Sequence, residues 1–331
     1  MGRKENMKDT FNRKIDYLRI SVTDRCDLRC KYCMPEGGVK SLSHADILSY
    51  EEILRVAGCA ARLGVRHLKV TGGEPLVRRG AVELIRKLKE IPGIEDVSLT
   101  TNGTRLADCI GLLADCGIDG INLSLDTLNP ELYEKITRTS GAFPKVMEGF
   151  EKALEHPGIK LKINCVPLRI PEQNLPEIAG LAQNHPVHVR FIELMPIGLG
   201  KTLPFKSEAD TMLELEQAYG TLVPCEEALG NGPCRYYSLP GFQGRIGFIS
   251  ALSHKFCSGC NRIRLTADGR LKTCLQYDIG VNLKELLRNG KSDAELEAAI
   301  LQALESKPEE HHFTESAVKS GETRPMFQIG G

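Results

Sequence analysis

Asp16-Tyr-Leu-Arg-Ile-Ser-Val-Thr-Asp-Arg-Cys-Asp-Leu-Arg-Cys-Lys-Tyr-Cys33 begins as a β-rich run and breaks directly into three cysteines. The spacing Cys26-x3-Cys30-x2-Cys33 converges three thiolates on one small volume just past a strand. Three ligands leave a metal centre one site short. An iron–sulfur cube held by three protein sulfurs keeps one iron open to an exogenous ligand. A zinc knuckle completed by His44 is the competing reading, disfavoured because structural zinc usually groups its ligands as two tight pairs. A disulfide role is weaker, since an odd count strands one thiol. Twelve cysteines with no recognisable secretory leader fit a reducing, cytoplasmic setting.

Outward from this stretch, β-rich segments alternate with amphipathic ones as far as Met195, the rhythm of successive βα units around a parallel sheet. The strands are predicted at Tyr17 to Thr23, His67 to Thr71, Val97 to Thr101, Gly120 to Leu125, Lys160 to Val166 and Val187 to Leu194. Among the intervening helices are Tyr50 to Leu63, with Ser49 as N-cap and Gly64 as stop, Ala81 to Ile91, and Leu106 to Cys116. Six such units predict an α/β fold built as an incomplete, open (βα)6 barrel. Residues 1–12 read as a flexible lead-in and 13–230 as the barrel. A smaller α+β module follows over 231–331, with short strands at Arg235 to Ser238, Arg245 to Ile249, and a hairpin from Arg262 to Cys274. Helices at Leu283 to Arg288 and Asp293 to Leu304 precede a polar, mobile tail ending Arg324-Pro-Met-Phe-Gln-Ile-Gly-Gly331.

Lysine plus arginine equals aspartate plus glutamate at 43 each in 331 residues, so no global field points toward nucleic acid or an anionic membrane. No apolar run approaches a membrane span. Any anionic ligand must be caught locally. The polar residues gather where ligands of parallel α/β folds bind, at the carboxyl ends of the strands. The cysteine loop, Thr71-Gly-Gly-Glu-Pro75, Thr100-Thr-Asn-Gly103, Ser124 with Asp126, and Glu193-Leu-Met195 all fall there.

A second triad, Cys257-x2-Cys260-x13-Cys274, puts a CxxC before one hairpin strand and its third thiol on the return strand. A zinc ribbon is the bland alternative, with His254 as the only adjacent fourth ligand. Strand alternation turns Arg262 and Arg264 to one face, where two guanidiniums suit a phosphorylated ligand whose base reaches an open iron. Solvated arginines on an edge strand are the alternative. The other six cysteines, Cys59, Cys109, Cys116, Cys165, Cys225 and Cys234, read as small packed apolar residues.

The first cysteine motif followed by Thr71-Gly-Gly-Glu-Pro75 resembles the radical S-adenosylmethionine superfamily. That resemblance implies a first [4Fe-4S] cluster on Cys26, Cys30 and Cys33, whose open iron chelates S-adenosylmethionine and cleaves it to a 5′-deoxyadenosyl radical. It assigns Tyr32, Gly73, Ser124 and Met195 to the methionine and adenosyl portions and Glu74 to the ammonium. The two triads, the Asn261-Arg-Ile-Arg264 run and the terminal Gly-Gly together resemble the GTP 3′,8-cyclase family of molybdenum cofactor biosynthesis, across nearly the whole chain. This implies a second [4Fe-4S] cluster on Cys257, Cys260 and Cys274, abstraction of hydrogen from C3′ of GTP, and attack on C8 to give (8S)-3′,8-cyclo-7,8-dihydroguanosine 5′-triphosphate. Arg19, Lys69, Thr100, Lys162, Arg262, Ile263 and Arg264 are the implied GTP contacts. Arg190, Gly330 and Gly331 fall at the catalytic centre. A homodimer and a downstream cyclic pyranopterin monophosphate synthase are also implied. Lys69 departs from the family's more usual arginine, and Asp27 from its asparagine. A peptide-modifying radical maturase with an auxiliary cluster and a non-catalytic metal scaffold remain the competing classes.

Overall fold

The computed structural model describes residues 7–313 and 321–330. Strand β1, Tyr17–Ser21, is covered on both faces, as a strand in a parallel sheet should be. Helix α1, Tyr50–Leu63, opens on a capping box: Glu52 N–H donates to Ser49 Oγ at 3.1 Å, and Ser49 N–H donates to the Glu52 carboxylate at 2.7 Å. It stops at Gly64, whose φ of 119° is open to glycine. The unit repeats through β2 (His67–Thr71), α2 (Ala81–Lys89), β3 (Asp96–Thr101), α3 (Leu106–Asp115) and β4 (Gly120–Ser124). Two helices, α4 (Pro130–Thr137) and α5 (Phe143–Leu154), separate β4 from β5 (Lys160–Cys165). Then come α6 (Leu175–Asn184), β6 (His188–Ile192) and α7 (Glu208–Tyr219).

The later strands are β7 (Val223–Cys225), β8 (Arg235–Ser238), β9 (Ile246–Ile249), β10 (Arg262–Leu265), β11 (Arg270–Lys272) and β12 (Gly280–Asn282). They extend both edges of the barrel sheet, which runs β12-β11-β10-β1-β2-β3-β4-β5-β6-β9-β8-β7. Pairing is parallel from β10 through β9 and antiparallel at each flank. The sheet curls without closing. Asn261 beside β10 donates to Asn231 O at 3.3 Å, so the loop before β8 meets the start of β10.

Alternation along the strands divides the molecule. Leu18, Ile20, Leu68, Val70, Leu99, Ile121, Leu123, Ile163, Val189 and Phe191 face outward into a continuous apolar layer beneath the helices. Each such side chain contributes roughly 1.5–3 kcal/mol on burial. Their neighbours Arg19, Lys69, Thr100, Asn122, Lys162, Asn164 and Arg190 face a cavity inside the curl.

Helices α8 (Leu283–Arg288) and α9 (Asp293–Glu305) pack against β11 and β12 at one flank of the sheet, with α9 also against α1. Two sequence expectations change. Residues 7–12 are fixed rather than flexible, because Met7 enters the core and Asp9 pairs with Arg13 at 2.6 Å. The described part of the tail, 321–330, is docked rather than mobile. It forms a short helix α10 (Met326–Ile329) with Phe327 and Ile329 fully buried. The buried Lys272 and Glu322 form an ion pair that Arg324 joins at 3.1 Å, which fastens its start.

Candidate active site

The cysteine loop is braced from three sides. Gly73 N–H donates to Thr23 O and Glu74 N–H to Arg25 O, both at 2.7 Å. This lays the Gly72-Gly73 backbone so close to the loop that a Cβ on Gly73 would overlap the Arg25 carbonyl. On the α4 side, Arg29 and Lys31 N–H groups donate to Thr137 O and Ile136 O at 2.9 Å. Tyr32 OH reaches Asp126 at 2.6 Å beyond β4. Asp27 accepts from Asn102 at 2.7 Å and from Thr104 at 2.6 Å. Glu74, predicted to meet an ammonium, has its carboxylate engaged by Leu76 N–H, Thr101 Oγ1 and Asn102 N–H at 3.0, 2.8 and 2.6 Å. Burial raises its pKa to about 7.

Cys26, Cys30 and Cys33 all line one end of the cavity. Burial pushes the Cys26 and Cys33 thiols up to about 12 and Cys30 well above its ordinary value. Three desolvated thiols, with Cys33 raising the pKa of both Cys26 and Cys30, form a donor set suited to a cationic cluster, which stabilises them as thiolates. Among the described residues no three His, Cys, Asp or Glu side chains close on a point as a single ion requires. Neither His44 nor His254 lines the cavity.

The second triad lies at the other end. Tyr17 is in register with Arg262, so Cys257 and Cys260 precede the amino end of β10, whereas the first triad follows the carboxyl end of β1. One strand length, roughly 15 Å, separates the two levels. Lys307 Nζ, which sequence reasoning missed, sits 3.6 Å from Cys260 Sγ and donates to Arg262 O and Thr273 O at 2.9 and 2.6 Å. Arg13, also missed, donates to Cys257 O at 2.9 Å and to Glu309 and Pro308 carbonyls at 2.6 Å. Burial raises the Cys260 pKa, but Arg262 and Lys307 overcome it and bring it to about 6. Both residues join the triad from remote parts of the chain, and no local motif announces them.

Between the triads lies a cavity of about 670 Å³ lined by Arg19, Lys69, Lys162, Arg190, Arg262 and Arg264. Register places Arg264, Arg19 and Lys69 side by side on β10, β1 and β2. Burial, then the neighbouring cations Arg190, Arg19 and Lys162, holds Lys69 well below its usual value. Burial and Arg190 lower Lys162 to about 8, and its Nζ donates to Leu229 O. Arg190 is aimed by Asn164, 2.9 Å from its Nε, and by Asn122. Among the described residues no carboxylate ion pair offsets Lys69, Lys162, Arg190 or Arg264. Such an array calls for a polyanion.

Tyr32, Gly73, Glu74, Ser124, Met195 and Thr100 line the same cavity. Gly330 lies against Ser21 and Thr71, where a Cβ would come 3.1 Å from Thr71 Oγ1, and its carbonyl accepts from Arg264 at 2.8 Å. Ile263 does not line the cavity, because alternation turns its side chain into the outer apolar layer. Cys234, expected to be packing, faces the cavity. Gly331 lies outside the described residues.

An open parallel barrel with a three-cysteine loop after its first strand defines a radical S-adenosylmethionine enzyme. The Radical SAM superfamily matches residues 20–182 and Molybdenum Cofactor Synthesis C matches residues 187–313. The chain belongs to the GTP 3′,8-cyclase family. It is 46% identical over 329 residues to the GTP 3′,8-cyclase of Syntrophomonas wolfei, covering 98% of this chain and 100% of that one. To the enzyme of Pelotomaculum thermopropionicum it is 45% identical over 332 residues, with the same coverage. Among solved structures, Streptococcus suis SuiB bound to S-adenosylmethionine is similar in fold, with a TM-score of 0.63 at 17% identity over 88% of this chain and 68% of that one.

Proposed function

We infer that this chain converts GTP to (8S)-3′,8-cyclo-7,8-dihydroguanosine 5′-triphosphate, the first step of molybdenum cofactor biosynthesis. One observation carries the reading in atomic terms: a cation-lined cavity with an incomplete cysteine triad at each end. The first triad holds a [4Fe-4S] cluster. When bound, that cluster and S-adenosylmethionine supply a 5′-deoxyadenosyl radical. Tyr32, Ser124 and Met195 line the adenosyl and methionine portions, with Gly73 keeping the loop in place and Glu74 near the ammonium. Arg19, Lys69, Lys162, Arg262 and Arg264 grip the triphosphate, and Thr100 meets the nucleoside. Gripped this way, GTP presents C3′ to the first triad and its base to the second, where Cys257, Cys260 and Cys274 hold a further [4Fe-4S] cluster. Arg190, fixed by two asparagine amides, and Gly330 crowd the reacting ribose.

A nucleotide is favoured over a peptide because the lumen concentrates buried cations rather than an open groove. A homodimer, a downstream cyclic pyranopterin monophosphate synthase and a cytoplasmic setting complete the proposal. Among the described residues no helix is long and apolar enough to cross a membrane. Iron and sulfide analysis of anaerobically purified protein tests the site: the expected content is two [4Fe-4S] clusters per chain, with Cys257→Ser retaining the first alone. Zinc at the second triad would overturn the two-cluster reading. 5′-Deoxyadenosine formation triggered by a peptide and not by GTP would replace cyclase with maturase.

A further inference from the structure

The two triads sit in opposite electrostatic surroundings. At the first, the Asp27 carboxylate lies 4.0 Å from Cys26 Sγ, and two buried carboxylates stand close behind. Glu74 contacts the Asn102 backbone while the Asn102 side chain reaches Cys26 Sγ at 3.7 Å, and Asp126 holds Tyr32 of the loop. Within the loop the half-buried Arg29 directs its guanidinium to the carbonyls of Cys26 and Leu28, at 2.6 and 2.9 Å, rather than to sulfur. At the second triad the closest charged group is positive. The Lys307 ammonium, in a residue only 4% exposed, lies 3.6 Å from Cys260 Sγ. Its other partners are two backbone carbonyls, and among the described residues it has no carboxylate. Arg13 also touches this loop, but Asp9 at 2.6 Å offsets its charge. Among the described residues Lys307 and its neighbour Arg262 are therefore the cations beside Cys260 that no carboxylate pairs, and Lys307 is the more deeply buried of the two.

Adding an electron makes a cluster more negative, so a fixed cation beside its sulfur stabilises the reduced form and a fixed anion opposes it. In a buried site neither charge is well screened. We propose that the chain orders the two clusters by reduction potential, with Lys307 raising the second above the first and the carboxylates around the cysteine loop keeping the first low. The order suits the chemistry: reducing a sulfonium needs a low-potential cluster, whereas a cluster facing substrate holds an electron more easily. Lys307 is a positioning residue for charge and touches no reacting atom. The inference rests on the two-cluster reading of the cavity.

Anaerobic potentiometric titration of the holoenzyme, followed by electron paramagnetic resonance without GTP, tests it. Cys26→Ser and Cys257→Ser assign the two signals. The second cluster should reduce at the higher potential. Lys307→Met should shift it downward and leave the first unmoved, while Lys307→Arg should keep it near the wild-type position. Should Lys307→Met fail to retain iron, the wild-type order and an upward shift of the first cluster in Asp27→Asn, at an exposed position, carry the test. Two clusters in the reverse order, or an unmoved second cluster in Lys307→Met, would overturn this proposal alone. A wild-type protein with no second cluster would overturn it together with the two-cluster reading.

Discussion

Lys162 shows what single residues in this cavity do. Burial and Arg190 bring its ammonium down to about 8, so the empty site sheds that proton as pH rises through 8. A bound triphosphate favours the charged form and keeps it. Affinity for GTP should therefore fall above pH 8, with net proton uptake on binding. Calorimetry in buffers of differing ionisation enthalpy measures this, and binding without proton uptake at pH 8.5 would separate Lys162 from the phosphates. Arg264→Ala should weaken GTP binding at least tenfold, since it removes a charge-assisted contact; unchanged affinity would leave Arg264 as a partner of the Gly330 carbonyl alone. Gly73→Ala tests the cysteine loop. Its new Cβ would overlap the Arg25 backbone, a strain of roughly 1–3 kcal/mol, and the variant should lose first-cluster iron while the second triad stays loaded. The backbone that Gly73 approaches is the neighbouring cysteine loop itself, a contact that no local pattern conveys.

Among the elements, the tail carries the sharpest expectation. Residues 321–330 are fastened by Lys272, Glu322 and Arg324 before α10 buries Phe327 and delivers Gly330 beside Thr71. Glu322→Gln leaves Lys272 buried without its carboxylate, a cost of roughly 3–5 kcal/mol. Hydrogen exchange over 321–330 should accelerate and turnover fall, with the absorbance of the first cluster retained. Unchanged protection of Phe327 would show that apolar burial alone holds the tail. Composition made this segment look mobile because its polar residues spend their charge internally, on one another and on β11. Conversely, α1 was legible to the residue: Ser49 caps it and Gly64 ends it. Local chemistry fixes those ends. The pairing of β9 with β6 and of β10 with β1 depends on where distant segments settle, so the later strands looked like a module of their own.

At the scale of the molecule, a sheet that curls without closing leaves a lumen of about 670 Å³ between two cysteine triads. The βα rhythm, both cysteine triads and the pair Arg262 and Arg264 were readable because alternation and spacing are local, whereas Arg19, Lys69, Lys162 and Arg190 were implied only by the family resemblance. Lys307, Arg13 and the asparagines that aim Arg190 were not readable, since each acts through a contact between segments far apart in sequence. The lumen should hold GTP with C3′ toward the first triad. Turnover with GTP deuterated at C3′, S-adenosylmethionine and a reductant tests it directly: deuterium should appear in 5′-deoxyadenosine, only when GTP is present, alongside the 3′,8-cyclised product. Deoxyadenosine formed equally without GTP, or free of deuterium, would contradict it.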